Sequence, residues 1–189
     1  MLNLDFTKIP QNGVMILIDR PKLETSRLFL IPLDYDQLSI YTQLDGSLEF
    51  SFGLKSGSRS IDQELEVTIQ KFIIPYILQF PEHILYATLW ILILKREQVI
   101  IGDIGFKGAP SSKGLLEIGY ATYPEFRNLG FMTEALGAMS NWAFAQENVE
   151  IILAETDKDN LASQLTLKKN KFELFAETDC MYWWRLDKA

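Results

Sequence analysis

The stretch from Glu117 to Leu136, EIGYATYPEFRNLGFMTEAL, constrains this chain more than any other. Leu115 to Tyr123 (LLEIGYATY) reads as a strand, and Pro124 closes it. A short loop with Arg127 and Gly130 follows. Met132, Ala135, Leu136, Met139 and Ala143 then share one face of a predicted helix over Leu129 to Gln146. A helix that starts directly after a strand presents free amides at the positive end of its dipole, which suits a pyrophosphate. Gly130 lets the backbone approach phosphates closely, and Arg127 adds a forked cation. On this segment alone, an ordinary strand–loop–helix corner with a solvated arginine explains the pattern equally well.

A second stretch adds weight. Glu155 to Phe172 reads ETDKDNLASQLTLKKNKF, with Asp159 and Asn160 just before a short predicted helix, Asn160 to Asn170. Asn160 is a good N-cap residue. By itself it is only a cap. After the first motif, in this order and at this spacing, it is more specific.

The remaining elements fit one architecture. Leu23 to Leu33 (LETSRLFLIPL) reads as a first strand, with Asp34 starting a helix. Gly53 to Ser60 is a loop. Ile61 to Gln79 carries Leu65, Ile69, Phe72, Ile73 and Tyr76 at helical spacing, with Pro75 expected to kink or end it. Ile84–Leu94 and Val99–Lys107 flank the polar KREQ, a hairpin signal. Val149–Glu155 is a further strand, and Phe172–Ala176 with Met181–Leu186 forms a last pair. The expectation is an α+β fold with a mixed, mostly antiparallel central sheet flanked by helices. It is taken as one domain over residues 1–189, with residues 1–22 set apart as an N-terminal extension.

Composition narrows the function. At 189 residues with 48% hydrophobic side chains, the chain can bury a full core. The net charge of −7 argues against a nucleic-acid binder, which normally shows a basic face, and is compatible with a cationic substrate. A single cysteine, Cys180, fits a reducing compartment, so a cytoplasmic location is expected. Asp5 stands early and no basic start or cleavage site follows, so no signal peptide is read. The most apolar run, Ile84 to Leu94, is far short of the roughly 20 residues of a membrane span.

The combined pattern resembles the GNAT superfamily, in its RimJ/RimL-like branch of N-acetyltransferases. That branch reads approximately E-I-G-Y, P-x-Y/F-R-G-x-G-Y/F-A/M-T-E-A, D-N-x-A-S and K-x-G-F. Here the counterparts are Glu117–Tyr120, Pro124–Ala135, Asp159–Ser163 and Lys169–Phe172. The resemblance covers roughly Leu23 to Leu186, and only the central and C-terminal motifs are specific. Asn128 and Lys171 stand where glycine is usual, and Met132 where a small residue is common. Leu167 occupies the position at which other branches place a tyrosine general acid, which this branch commonly lacks.

The resemblance implies transfer of an acetyl group from acetyl-coenzyme A, as co-substrate and without a metal, to a primary amine on a protein N-terminus or small molecule. Backbone groups of Tyr120, Ala121 and Thr122 would face the pantetheine arm and thioester. Arg127, Asn128, Leu129, Gly130, Phe131, Met132 and Thr133 would hold the pyrophosphate. Asn160 would contact the cofactor arm, and Ser163 could steady the sulfur. A lysine-like amine, with a pKa of about 10.4, is mostly protonated at neutral pH, so a base must take a proton. A thiolate with a pKa of about 8.5 leaves without strong acid help, which makes a missing tyrosine tolerable.

Glu117 is the first candidate for the base, against a reading as an outward-facing strand carboxylate. Glu155 and Asp103 are weaker candidates. The lone histidine, His83, is expected at the surface. Of Trp183 and Trp184, one is expected in the core and the other over a substrate cleft. The alternative to an enzyme is a GNAT-like domain that binds coenzyme A or a partner without turnover. A homodimer is left open, and no nucleic acid or membrane partner is expected.

Overall fold

The structure, a computed structural model, describes residues 6–11, 14–57 and 59–189. The predicted loop Gly53–Ser60 therefore has residue 58, and the N-terminal extension residues 1–5, 12 and 13, outside the described residues. The extension contains a hairpin of β1 (Phe6–Gln11) and β2 (Val14–Asp19), separate from the main sheet, with β1 alongside helices of the first half.

The chain then builds β3 (Leu23–Glu24) and β4 (Leu28–Pro32), α1 (Tyr35–Tyr41) and α2 (Ser47–Phe52). Leu23–Leu33, expected as one strand, is a tight antiparallel pair, because Thr25 exchanges hydrogen bonds with Leu28 and turns the chain. Asp34 caps α1 as expected, within a capping box completed by Gln37.

Next come α3 (Gln63–Thr68), a π-helical turn (Ile69–Ile73) and α4 (Ile74–Gln79). Pro75 does not end the helix. The chain widens to π pitch just before it, and the Ile74 amide reaches back to the Ile69 carbonyl.

Ile84–Leu94 requires a correction, since its first turn, α5 (Ile84–Ala87), is helical and the strand β5 begins later (Trp90–Leu94). A short apolar run carries no period that separates helix from strand. The turn at Pro81–His83 runs into α5, and the Thr88 amide closes it on Ile84.

The second half holds β6 (Val99–Phe106), β7 (Leu115–Thr122), α6 (Phe131–Phe144), β8 (Ile151–Asp157), α7 (Leu161–Lys169), β9 (Glu173–Glu177) and β10 (Met181–Asp187). The eight-stranded sheet runs β3-β4-β5-β6-β7-β8-β10-β9. Every pair is antiparallel except β7–β8. This is the expected mixed, mostly antiparallel sheet flanked by helices.

Two cores cover its faces. Leu92, Ile104, Leu116 and Ile118 pack on α6 and α7, while Ile31, Ile91, Ile93 and Ile100 pack on the helices of the first half. Trp184 is buried in the first core, its indole donating to Thr156 Oγ1 at 3.0 Å. Trp183 is half-buried, and His83 stacks on Tyr76 and Phe80. Among the described residues no helix is long and apolar enough to cross a membrane.

Candidate active site

The parallel pair β7–β8 holds the site open. It is closed only from Leu115 to Ile118, against Ile151 to Ala154. Beyond Ile118 the strands part. Gly119 to Thr122 keep β6 on one side, and Glu155 to Asp157 keep β10 on the other. The Tyr120 hydroxyl spans the opening and donates to the Ser163 carbonyl at 3.3 Å.

A cavity of about 700 Å³ opens here, on the side of α6 and α7. The sequence motifs converge on it: Tyr120, Ala121, Thr122, Arg127, Asn128 and Gly130 line it, as do Phe131, Met132, Thr133, Asn160 and Ser163. Leu129 does not. Its side chain is exposed and its carbonyl accepts from Arg27 at 3.0 Å. Phe131 and Met132 bury their side chains in the core, so what they offer the cavity is backbone.

The cradle is built locally. Gly130 caps α6 in the left-handed conformation, φ 76°, and no side chain caps the first turn. The first-turn amides therefore have no intrahelical partner, and Phe131, Met132 and Thr133, which carry them, line the cavity. Asn128, in place of the usual glycine, also takes a positive φ of 61°. Arg127 Nε is fixed on the Thr122 carbonyl at 2.9 Å, which leaves the rest of its fork for an anion. Lys169 is a second cation on the wall.

Arg27 and Glu134 brace the loop from outside. Glu134 takes hydrogen bonds from the Arg27 amide and guanidinium and from Ser26. Burial would raise its carboxyl, but the bonds from Thr25, Arg27 and Ser26 outweigh this and hold it at about 2. These features fit a pyrophosphate-bearing ligand with a long arm: uncapped amides and cations at one end, an unpaired strand edge at the other.

On the opposite face lies a second cavity of about 470 Å³, against α3 and the π-helical turn. Its floor is a pair of facing glycines, Gly105 on β6 and Gly119 on β7. A Cβ at Gly119 would meet nothing within 4 Å. Asp103, opposite Ala121, closes one end of this floor, and Lys107, opposite Glu117, marks the other. Tyr120 and Ala121 line both cavities, where the strands part.

Glu117 lines neither cavity. It lies in the closed part of β7 opposite Leu153, with Lys107 Nζ 2.5 Å from Oε1. The contact is an ion pair without hydrogen-bond geometry, since Oε1 is buried and has no hydrogen-bond partner. Ser163 gives its amide to Asn160 at 3.1 Å, and its hydroxyl has no protein partner among the described residues. Leu167 is fully buried in the core, so that position offers the site no donor. Glu155 and Trp183 line neither cavity. Sequence reasoning missed Asp62, Glu64 and the glycine floor, which come from elements far apart in the chain.

A sheet whose single parallel pair parts beside an uncapped helix start defines a class, the acyl-coenzyme A transferases of the GNAT type. The chain belongs to the acetyltransferase (GNAT) domain family, which matches residues 27–173. Members of this family use acetyl-coenzyme A. The chain is 42% identical over 85 residues to the uncharacterized N-acetyltransferase YjdG of Bacillus subtilis (strain 168), across 45% of this chain and 51% of that protein. It thus spans about half the length of the curated relative it matches. The fold is similar to RimL, a ribosomal L7/L12 α-N-protein acetyltransferase, in complex with coenzyme A (TM-score 0.65, 16% identity, 88% of this chain and 98% of that one). It is also similar to the ribosomal-protein-S5-alanine acetyltransferase of Vibrio fischeri (TM-score 0.64, 16% identity, 88% and 96%). An acetyltransferase of Agrobacterium tumefaciens str. C58 matches at TM-score 0.60 and 20% identity, over 92% and 98%.

Proposed function

We propose that this protein transfers the acetyl group of acetyl-coenzyme A to a primary amine, on a protein N-terminus or a small molecule. One observation carries the reading: two cavities, one with an anion cradle and one without, reach the sheet from opposite faces and share Tyr120 and Ala121. When bound, acetyl-coenzyme A supplies an activated acetyl thioester.

The amides of Phe131 to Thr133, with Arg127 and Asn128, receive the pyrophosphate. The free edge of Tyr120, Ala121 and Thr122 takes the pantetheine arm, with Asn160 and Ser163 across from it. The cavity on the other face takes the acceptor and keeps its amine near Ala121, so that two reactants are held in one geometry. The ribosomal-protein acetyltransferases of the same fold favour a protein N-terminus within the amine class.

The test is a thermal melt with acetyl-coenzyme A followed by thiol release with a panel of amines: N-terminal serine and alanine peptides, polyamines, aminoglycosides and simple alkylamines. Saturation at 100 times the dissociation constant should add about 2.7 kcal/mol. An unmoved melt would overturn the reading. A shifted melt without thiol release for any amine would leave a coenzyme A-binding domain without turnover.

A further inference from the structure

Asp103 is a buried carboxylate without an ion-pair partner among the described residues. Its Oδ2 accepts from the Tyr41 hydroxyl at 2.8 Å, and Tyr41 lies 3.0 Å from the Tyr123 hydroxyl. If Tyr123 donates to Tyr41 and Tyr41 to Asp103, every proton of the chain is placed. Oδ1 has no protein partner among the described residues, and Asp103 lines the second cavity. Oδ1 is therefore open to the cavity, and a cation entering there meets a carboxylate whose other oxygen Tyr41 already holds in place.

The surroundings favour a cation. Asp62 and Glu64 line the same cavity, and its one basic lining residue, Lys107, is already matched by Glu117. Position matters as well. Asp103 is the register partner of Ala121, the residue common to both cavities. Glu117 lies four residues further down β7, roughly 13 Å along the strand.

Resting on the transferase reading, we propose that the acceptor enters as a cationic primary ammonium and that Asp103 receives it and takes its first proton. An ammonium must lose two protons to become an amide nitrogen. One passes to Asp103 and on to solvent, and the other ends on the departing thiol as the C–N bond forms and the C–S bond breaks. Tyr41 and Tyr123 are positioning residues that aim the carboxylate.

The pH behaviour follows from all the groups that face it. Burial raises the Asp103 carboxyl, the Tyr41 hydrogen bond lowers it and the charge of Asp62 raises it, leaving it at about 6. Behind Tyr41, Arg59 and Glu49 form a buried pair at 2.6 Å that cancels its own charge. The ionised form is the acceptor, so kcat/KM should fall as pH drops through about 6.

The experiment uses the full chain saturated with coenzyme A, and hexylamine and 1-hexanol as probes of equal chain length, one cationic and one neutral. The parent should bind hexylamine at least about tenfold more tightly in calorimetry at pH 7.5. Asp103→Asn should lose that preference and lose roughly 10²- to 10⁴-fold in kcat/KM for the best amine of the panel, with the melt shift by acetyl-coenzyme A unchanged. Tyr41→Phe keeps the carboxylate but removes its donor, so its acid limb should move to higher pH. This variant also serves if Asp103→Asn does not fold. Equal binding of the two probes by the parent would overturn the proposal. So would an Asp103→Asn variant with parental preference or turnover, an unmoved limb in Tyr41→Phe, or an acid limb that vanishes in Glu117→Gln. A parent melt unmoved by acetyl-coenzyme A counts against the transferase reading, whereas a normal shift with an unaltered Asp103→Asn counts against this inference alone.

Discussion

The two cavities share a wall but are made differently. The one on the side of α6 and α7 is built from two local stretches, within Tyr120 to Thr133 and within Asp157 to Lys169, and its first stretch offers an uncapped helix start and left-handed turns. The one on the other face is assembled from β6, β7, α3 and the π-helical turn, and offers side chains around a bare glycine floor. Backbone recognises what all members of a family bind, because amides and a helix start are indifferent to side-chain change. Side chains from scattered elements can vary one by one, so on the proposed reading selectivity for the acceptor belongs there.

Gly130 lines one cavity and Gly119 the other, and valine at each should break one function and spare the other. Gly130→Val carries the largest effect. A β-branched residue resists φ 76°, and its Cβ would lie 3.6 Å from Arg27 Nη2. Affinity for acetyl-coenzyme A should fall about 100-fold or more while the protein still folds, as read by calorimetry and circular dichroism. Gly119→Val meets open space and no unfavourable φ. It should keep acetyl-coenzyme A affinity and lower kcat/KM for the amine by roughly 10- to 100-fold, because the branched side chain occupies the acceptor's space. If the two variants damage cofactor affinity alike, the comparison fails.

The brace behind the cradle sharpens the same contrast at lower amplitude. Glu134→Gln removes the charged acceptor of Arg27 and should cost about 1–2 kcal/mol of stability with weaker acetyl-coenzyme A binding. The Glu134 carboxyl is depressed in the fold, so its contribution is full above the ordinary glutamate range, about 4.5, and is lost as pH falls toward about 2. Melts of parent and variant should differ most at neutral pH and converge in acid. The smallest effect is a gain. Asn128 and Lys171 hold φ of 61° and 65° where glycine is at ease. Asn128→Gly and Lys171→Gly should each add about 0.5–1 kcal/mol, Lys171 the more, since asparagine tolerates this region better than lysine. A loss in either melt would contradict it.

The same difference decided what the sequence revealed. The cradle was legible because strand, proline, glycine and helix follow one another, so local chemistry and local order coincide. The acceptor cavity was not, and Asp103 shows why. The register between β5 and β6 shifts at Ile101, an extra residue that sends both Ile101 and Ile104 to the α6 face. Plain alternation from Ile100 would turn Asp103 away from the Ile100 face. The bulge turns it back, beside Tyr41 and Tyr123. Glu117 drew attention because it sits in the legible motif, yet Lys107 holds it at the far end of the floor. The helical Ile84–Ala87 was hidden for a related reason, since its side chains are apolar whichever structure they adopt.

The central claim is that the two cavities are continuous at Tyr120 and Ala121. It is tested most directly with a conjugate in which the sulfur of coenzyme A is joined, through a bridge of acetyl length, to the amine that the panel selects. Calorimetry compares it with coenzyme A alone. If the cavities meet, the conjugate fills both and should bind roughly 10²- to 10⁴-fold more tightly, an advantage that Gly119→Val removes. A conjugate that binds no more tightly than coenzyme A would contradict the account.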